Sequence, residues 1–254
     1  MSINKNSTGY TFLFSIIMVV IVGASLAYTS LSLKPLQKAN AADKQMVDIL
    51  GAIQVSSTRA EAKADFLTYV VERLAIDSKG NVLSSKTGEI VSSDATDPFN
   101  INVKKDYRSK KSADLLSFPL YVCEKEGVKL YVIPVVGSGL WGPVWGYVAL
   151  ESDMNTIFGA KFDHKTETPG LGAEIKENFF SDKFSGKTLS ESAPFFSVLK
   201  GGKVTDEHSV DGITGGTITS KGVEEMINRT LGIYSLYFES VTQQVETTQS
   251  PAQL

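Results

Sequence analysis

The longest uncharged stretch of the chain lies near its amino-terminal end. Residues 6–33 carry no charged side chain, and the apolar run 12–27 lies between Tyr10 and Tyr28. A bilayer core needs about 20 apolar residues in helical conformation, and tyrosines are frequent at membrane interfaces. The pattern predicts a retained transmembrane anchor over residues 1–33. A cleaved signal peptide is the alternative, because small residues close the apolar run.

Helical spacing of apolar residues continues beyond the anchor. Pro35 is expected to stop or bend the anchor helix, and a second helix is predicted over residues 36–53. A third helix is expected to start at Thr58, which forms a capping-box pattern with Glu61. Residues 34–76 are thus predicted to be a helical connecting segment. The third helix would carry three apolar residues at helical spacing, Phe66, Val70 and Leu74.

Residues 77–113 are polar and rich in turn-forming residues, which predicts a solvated loop. A basic cluster lies in this segment without interleaved aromatic residues, so the cluster does not predict nucleic-acid binding. The cluster consists of Lys104, Lys105, Arg108, Lys110 and Lys111.

Strand patterns follow the polar segment. Two apolar runs rich in β-branched and aromatic residues, 119–123 and 128–136, flank a turn at 124–127 and predict a hairpin. Further strands are predicted at 147–151 and 195–199.

A final helix is predicted over residues 220–240, and a polar, flexible tail is expected at 243–254. The pattern as a whole predicts an α+β protein, in which a mixed and largely antiparallel domain over residues 77–242 follows the anchor. The inner face of the final helix would contain Val223, Ile227, Leu231 and Tyr234.

The amino-acid composition of the chain excludes several classes of function. Charged residues make up 21% and hydrophobic residues 42% of the 254 residues, which is an ordinary globular composition. The net charge of −3 does not predict a nucleic-acid partner. A single cysteine, Cys123, excludes an internal disulfide and a thiolate metal site, and it is expected to be a buried small residue. Neither a metal ligand nor a catalytic residue is predicted.

Residues 210–222 contain three internal glycines and four hydroxyl side chains just before the predicted final helix. Glycine permits close approach of the backbone, and a helix N-terminus offers free N–H groups to a phosphate. The spacing matches neither a Walker A loop nor a dinucleotide fingerprint. The alternative interpretation is a helix that Ser or Thr caps after a tight turn.

A second glycine-containing segment, residues 164–172, includes the turn dipeptide at 169–170. Its backbone is predicted to approach a flat ligand, with Glu167 and Thr168 bonding the ligand's polar edge. The alternative is a surface loop, in which His164 has a structural role.

A third segment places Trp141 and Trp145 among glycines. Two tryptophans in this setting suit a stacking wall for an aromatic cofactor. The alternative is that both are core residues.

Together the three segments resemble the FMN-binding domain family. Residues 211–217, Asp-Gly-Ile-Thr-Gly-Gly-Thr, resemble its flavinylation motif, 164–172 its second signature and 139–142 a third. The order, the spacing and the single amino-terminal anchor resemble the C-subunit family of sodium-translocating NADH:quinone reductases, over nearly the whole chain after the anchor. The family usually has alanine at the position of Gly216.

The resemblance implies FMN bound covalently through a phosphoester to Thr217. A separate flavin transferase would take FAD as donor and release AMP. Thr219 and Ser220 would lie beside the phosphate, and Lys200 would lie on the strand leading into the motif. Asp211 would shape the turn or assist the metal of the transferase. The other residues implied to bind the cofactor are Thr214, Gly215, Gly216, Glu167, Thr168, Leu171, Gly172, Leu140 and Trp141.

The resemblance also implies a function. The chain would be a flavoprotein subunit that relays electrons within a sodium-translocating NADH:quinone oxidoreductase and is not catalytically complete alone. Its partners would be the other subunits and membrane lipid. It would cross the bacterial inner membrane once, with the domain on the periplasmic side, although the flanking charges set no orientation. The alternatives are the G subunit of the Rnf electron-transport complex, or an anchored binding module without redox function.

Overall fold

The computed structural model describes residues 7–109, 111–202, 204 and 206–249, with only the backbone described for 243–249. Residue Lys110 of the basic cluster and the last five residues of the predicted tail lie outside the described residues. The chain divides into two compact units, residues 1–45 and 46–254.

One helix, α1 (Thr8–Ala52), begins in the first unit. Among the described residues it is the one helix that is long and apolar enough to cross a membrane. The apolar side chains of its part before Leu36, such as Phe12 and Val20, are exposed, as a surface covered by lipid would be. Of the two expectations for Pro35, the stop of the anchor helix is wrong, because Pro35 lies inside α1. The second helix predicted over residues 36–53 is accordingly not separate but the continuation of α1.

A six-stranded antiparallel sheet forms the centre of the second unit. The strand order is β2-β1-β3-β4-β5-β6, so most neighbours in sequence are also neighbours in the sheet. The strands are β1 (Val70–Ile76), β2 (Val82–Lys86), β3 (Phe118–Lys125), β4 (Val128–Ser138), β5 (Pro143–Leu150) and β6 (Ile157–His164).

The hairpin predicted from the apolar runs is confirmed as β3 and β4. Its two turn residues, Glu126 and Gly127, both have positive φ angles of 53° and 78°, which match the twist of the strands. Cys123 is buried within β3, as expected, and burial raises the pKa of its thiol to about 12. The thiol is therefore uncharged at neutral pH.

The predicted helix through Val70 and Leu74 is wrong in its second half. The helix α2 (Ala62–Tyr69) ends before Val70, and β1 pairs with both β2 and β3. Because β1 is an inner strand with buried residues on both faces, its apolar residues do not alternate in the sequence. The side chain of Arg73 in this strand is buried and donates to both carboxylate oxygens of Asp97, at 3.0 and 2.9 Å.

The polar segment 77–113 is not wholly a loop. It contains β2 and a short helix, α3 (Val103–Ser109), which carries part of the basic cluster. The strand β6 was also missed by the sequence pattern, because Gly159 and Lys161 interrupt its apolar run. A Cβ atom at Gly159 would lie 2.6 Å from the carbonyl oxygen of Ala52, so glycine allows the end of α1 to approach the sheet.

The final helix, α5 (Thr217–Gln249), packs mainly against β4. The predicted inner face is confirmed, since Val223, Ile227, Leu231 and Tyr234 are all buried. The helix is longer than expected at both ends. A four-residue helix, α4 (Asn178–Ser181), and a parallel pair, β7 (Ser197–Leu199) and β8 (Ser209–Asp211), complete the fold. The predicted α+β class with mixed, largely antiparallel strands is confirmed.

Candidate functional site

Two cavities meet at the N-terminus of α5. We name them the apolar cavity and the cationic cavity after the side chains that distinguish them. Both are lined by Gly215 and Thr217, so the exposed Thr217 side chain lies between them. Gly215 has a φ angle of +76°, which reverses the chain immediately before the helix.

The apolar cavity has a volume of about 410 Å³. Its walls include large apolar side chains that are exposed, Trp141 at 65% and Leu171 at 43%. Exposed apolar walls of this kind suit a flat aromatic group. The lining residues are Leu140, Trp141, Glu167, Thr168, Leu171, Gly172, Gly215, Gly216, Thr217, Ile218 and Thr219.

Glu167 joins three segments of the site. One carboxylate oxygen accepts from the backbone N–H of Trp141 at 2.8 Å, and the other accepts from the Thr219 hydroxyl at 2.6 Å. The Glu167 residue is only 5% exposed. The structure thus gives both oxygens partners within the protein, whereas the sequence predicted a bond to the ligand's polar edge.

Two glycines are required by this arrangement. A Cβ atom at Gly139 would lie 2.6 Å from Glu167 Oε1, and a Cβ atom at Gly172 would overlap the Thr219 hydroxyl. The backbone of Glu167 is held as well, because its N–H donates to Nδ1 of His164 at 3.2 Å. His164 therefore has a structural contact here, in keeping with the alternative interpretation of this residue.

The two tryptophans of the third segment separate in the structure. Trp141 lines the apolar cavity, and its carbonyl accepts from the Thr166 hydroxyl at 2.9 Å. Trp145 lies in β5 and is not among the residues that line this cavity. The Lys104 ammonium is 3.4 Å from the centroid of its ring. A wall built from both tryptophans is not observed.

The cationic cavity has a volume of about 400 Å³. Its backbone frame is set by Asp211, whose Oδ1 accepts from the N–H of Gly202 at 2.7 Å. Lys183 donates to the carbonyl of Asp211 at 3.1 Å, and this lysine had no signal in the sequence pattern. The lining residues are Lys183, Lys200, Gly201, Gly202, Asp211, Gly212, Ile213, Thr214, Gly215 and Thr217.

Two expectations about the motif need correction. Ser220 lines neither cavity, because it is buried and its hydroxyl accepts from the N–H of Ile213 at 2.9 Å. Lys200 follows β7 directly, whereas β8 is the strand that leads into the motif. The parallel pairing of β7 with β8 nevertheless brings Lys200 to the cavity that Thr217 lines.

Comparison with known proteins identifies the class. The family model described as an FMN-binding domain matches residues 139–232, a range that contains the Gly-Leu-Trp segment, the 164–172 loop and the start of α5. The chain therefore contains an FMN-binding domain.

Individual proteins similar to this chain identify its family more specifically than the domain match does. The C subunit of the Na(+)-translocating NADH-quinone reductase from Vibrio anguillarum is 31% identical, with 91% of this chain and 93% of the relative covered. The crystal structure of the C subunit from Parabacteroides distasonis has a TM-score of 0.69 at 36% identity, covering 81% and 96%. NqrC of Shewanella oneidensis has a TM-score of 0.65 at 26% identity, covering 80% and 98%. The chain belongs to the family of C subunits of the Na(+)-translocating NADH-quinone reductases.

These relatives do not favour the Rnf G subunit as the alternative. The residues around Thr217 fit FMN, because one cavity accepts a flat aromatic ring and the Thr217 side chain, which can carry a covalent group, is exposed.

Proposed function

We propose that this chain is a membrane-anchored flavoprotein subunit that relays electrons through FMN within a sodium-translocating NADH:quinone reductase complex. The proposal is supported by family membership together with the position of Thr217 at the junction of two cavities. The chain is not catalytically complete alone, and the other subunits of the complex are its partners. When bound, FMN supplies reversible electron transfer at its ring.

The FMN is attached to Thr217. A flavin transferase presents FAD, and the Thr217 hydroxyl oxygen attacks the phosphorus on the FMN side of the pyrophosphate. The new bond is Thr217 Oγ–P, the broken bond is P–O to the adenylate, AMP leaves, and the hydroxyl proton is lost. Support comes from the exposure of the threonine at the first position of α5, where backbone N–H groups are free to face phosphate oxygens.

The apolar cavity holds the ring of the attached FMN. Leu140, Trp141 and Leu171 provide the apolar walls, and Thr168 provides a polar group at the same cavity. Glu167 keeps the walls in position through its bonds to Trp141 and Thr219. Lys200 supplies a positive charge near Thr217, from the cationic cavity.

The decisive experiment on attachment compares two threonines of the same turn. Three versions of the full chain, wild type, Thr217→Val and Thr214→Val, are each produced together with the flavin transferase. Flavin fluorescence is then measured on denaturing gels. Fluorescence that survives denaturation is expected in wild type and in Thr214→Val, and its loss is expected in Thr217→Val. Thr214 is the matched control because it is an exposed threonine lining the same cationic cavity. A denatured gel detects only covalently attached flavin, so the control separates the attachment residue from a residue that only contacts the cofactor.

Peptide mass spectrometry then locates the adduct. An FMN mass on the peptide containing Thr217 supports the proposal. A colourless wild-type chain, made with an active transferase, would instead favour the anchored binding module without redox function.

The domain lies on the periplasmic side of the bacterial inner membrane, and the anchor contacts lipid. This orientation is tested with protease. In spheroplasts of cells that produce the full chain, added protease is expected to degrade the domain, whereas inverted membrane vesicles are expected to protect it. A cytoplasmic-side membrane protein serves as the control, with the opposite pattern. Protection of the domain in spheroplasts would contradict the orientation.

A further inference from the structure

The described residues that line the cationic cavity carry a net positive charge beside Thr217. The charged ones among them are Lys183, Lys200 and Asp211, which together give a formal charge of +1. Asp211 already accepts from the Gly202 N–H through Oδ1, so this carboxylate is engaged in holding the loop.

Lys183 is fixed in place before any ligand arrives. Its ammonium donates to the carbonyl of Asp211 at 3.1 Å and lies 6.0 and 5.9 Å from the ring centroids of Phe179 and Phe180. An ammonium has three N–H donors. Among the residues that the structure describes, the carbonyl of Asp211 is the one hydrogen-bond acceptor of Lys183, so two donors remain for a ligand.

The apolar cavity has the opposite electrostatic character. Among the described residues that line it, Glu167 is the one charged side chain, and both of its oxygens have protein partners. The uncharged ring and the anionic phosphate of a flavin nucleotide are therefore expected to bind in different cavities. The ring suits the apolar cavity, and the phosphate charge is stabilised on the side of the two lysines.

We propose that Lys183, assisted by Lys200, binds the phosphodiester that links Thr217 to FMN. This proposal rests on the proposed covalent attachment. A phosphodiester carries one negative charge, and the formal charge of +1 on the described lining residues of the cationic cavity neutralises it. Lys183 is thus a ligand-binding residue of the site, supplied by the 3-10 helix Asp182–Phe184 after α4 rather than by any of the three sequence motifs.

The experiment uses Lys187 as a matched control. Lys187 is also half-buried and also donates to a backbone carbonyl at 3.1 Å, that of Asp206, but it does not line the cationic cavity. Four versions of the full-length apoprotein are compared in detergent: wild type, Lys183→Met, Lys183→Arg and Lys187→Met. Each is incubated with flavin transferase and FAD. Intact mass gives the attachment rate, and the ³¹P resonance of the product reports the environment of the phosphodiester.

Attachment in Lys183→Met is expected to be roughly tenfold slower, which corresponds to the loss of one charge-assisted hydrogen bond. Its ³¹P resonance is expected to be displaced from that of wild type. Lys183→Arg should restore most of the rate, and Lys187→Met should match wild type in both measurements. Lys200→Met, a substitution at an exposed residue, provides a second variant should Lys183→Met fold poorly, and its ³¹P resonance should also move.

Each outcome has a defined meaning. A displaced ³¹P resonance in Lys183→Met supports the proposal even where the rate changes little. An unchanged resonance in a folded Lys183→Met overturns it, including the case of slow attachment, since Lys183 would then serve the transferase only. Where Lys183→Met does not fold, a displaced resonance in Lys200→Met supports the proposal and an unchanged one overturns it. Absence of any FMN adduct in wild type would overturn the proposed function itself, together with this inference.

Discussion

Glu167 shows how a single buried carboxylate organises the walls of the apolar cavity. It accepts hydrogen bonds from the β4–β5 loop at Trp141 and from the first turn of α5 at Thr219. Because buried polar groups must find partners, removal of the carboxylate leaves two donors without an acceptor. The residue therefore acts on the cavity by holding its walls.

The change Glu167→Ala is expected to lower the free energy of unfolding by about 2–3 kcal/mol, because hydrogen bonds to charged groups contribute strongly when buried. Glu174→Ala is the control. Glu174 lies in the 3-10 helix Gly172–Lys176 that follows the loop and accepts from the N–H of Gly170 at 2.8 Å, but it is less buried. Urea denaturation of the full chain in detergent measures both variants. Equal losses in the two would contradict the special role of Glu167.

At the scale of elements, the helix α5 depends on glycine in one place and is weakened by it in another. A Cβ atom at Gly222 would overlap the carbonyl oxygen of Ser138 at the end of β4. At Gly232 the nearest atom to an added Cβ is Phe195 Cε2, at an ordinary 3.9 Å. The first glycine lets the helix approach the sheet, and the second only adds backbone freedom to the unfolded chain.

Two substitutions to alanine test this difference within one helix. Gly222→Ala is expected to destabilise the domain by about 1–3 kcal/mol, since α5 must move away from β4. Gly232→Ala is expected to stabilise it by about 0.5–1 kcal/mol, the usual gain for alanine over glycine inside a helix. Thermal unfolding followed by circular dichroism gives the sign of each change. Opposite signs to those stated would show that the packing of α5 differs from the structure.

At the scale of the whole molecule, the first unit and the second unit suit different solvents. The apolar side chains of α1 before Leu36 are exposed, and a bilayer is the environment in which that surface is stable. The second unit buries its apolar residues between a sheet and a helix, as a water-exposed domain does.

The anchor is tested by a charge at its centre. Val20→Lys is expected to raise the free energy of membrane insertion by about 2.5–3.5 kcal/mol, and so to lower the fraction of chain that remains in membranes after a carbonate wash. Leu36→Lys lies beyond Pro35 and should leave that fraction unchanged. Intact mass of the wild type also discriminates the anchor from a cleaved signal peptide, since only a retained anchor keeps residues 1–33. A carbonate-resistant fraction of Val20→Lys equal to that of wild type would contradict the anchor.

The elements with a local pattern could be predicted from the sequence, and those formed by distant pairing could not. The hairpin of β3 and β4 and the buried face of α5 follow from alternation and from helical spacing, which depend on neighbours in the chain. The helix predicted through Leu74 failed because pairing with β2 and β3 overrides helical spacing there. The strand β6 escaped prediction because Gly159 is explained only by the approach of Ala52.

The anchor, the fold class and the motif around Thr217 follow from the order of residues alone, since each is a continuous run with its own pattern. The conversion of that motif into a site depends on folding in three dimensions. Folding places Thr217 between an apolar and a cationic cavity, engages Glu167 with two other segments, and brings Lys183 to the motif from 28 residues away in the chain. The physical reason is that side-chain hydrogen bonds and charges act over a few ångströms in space, whatever the separation of the residues along the chain.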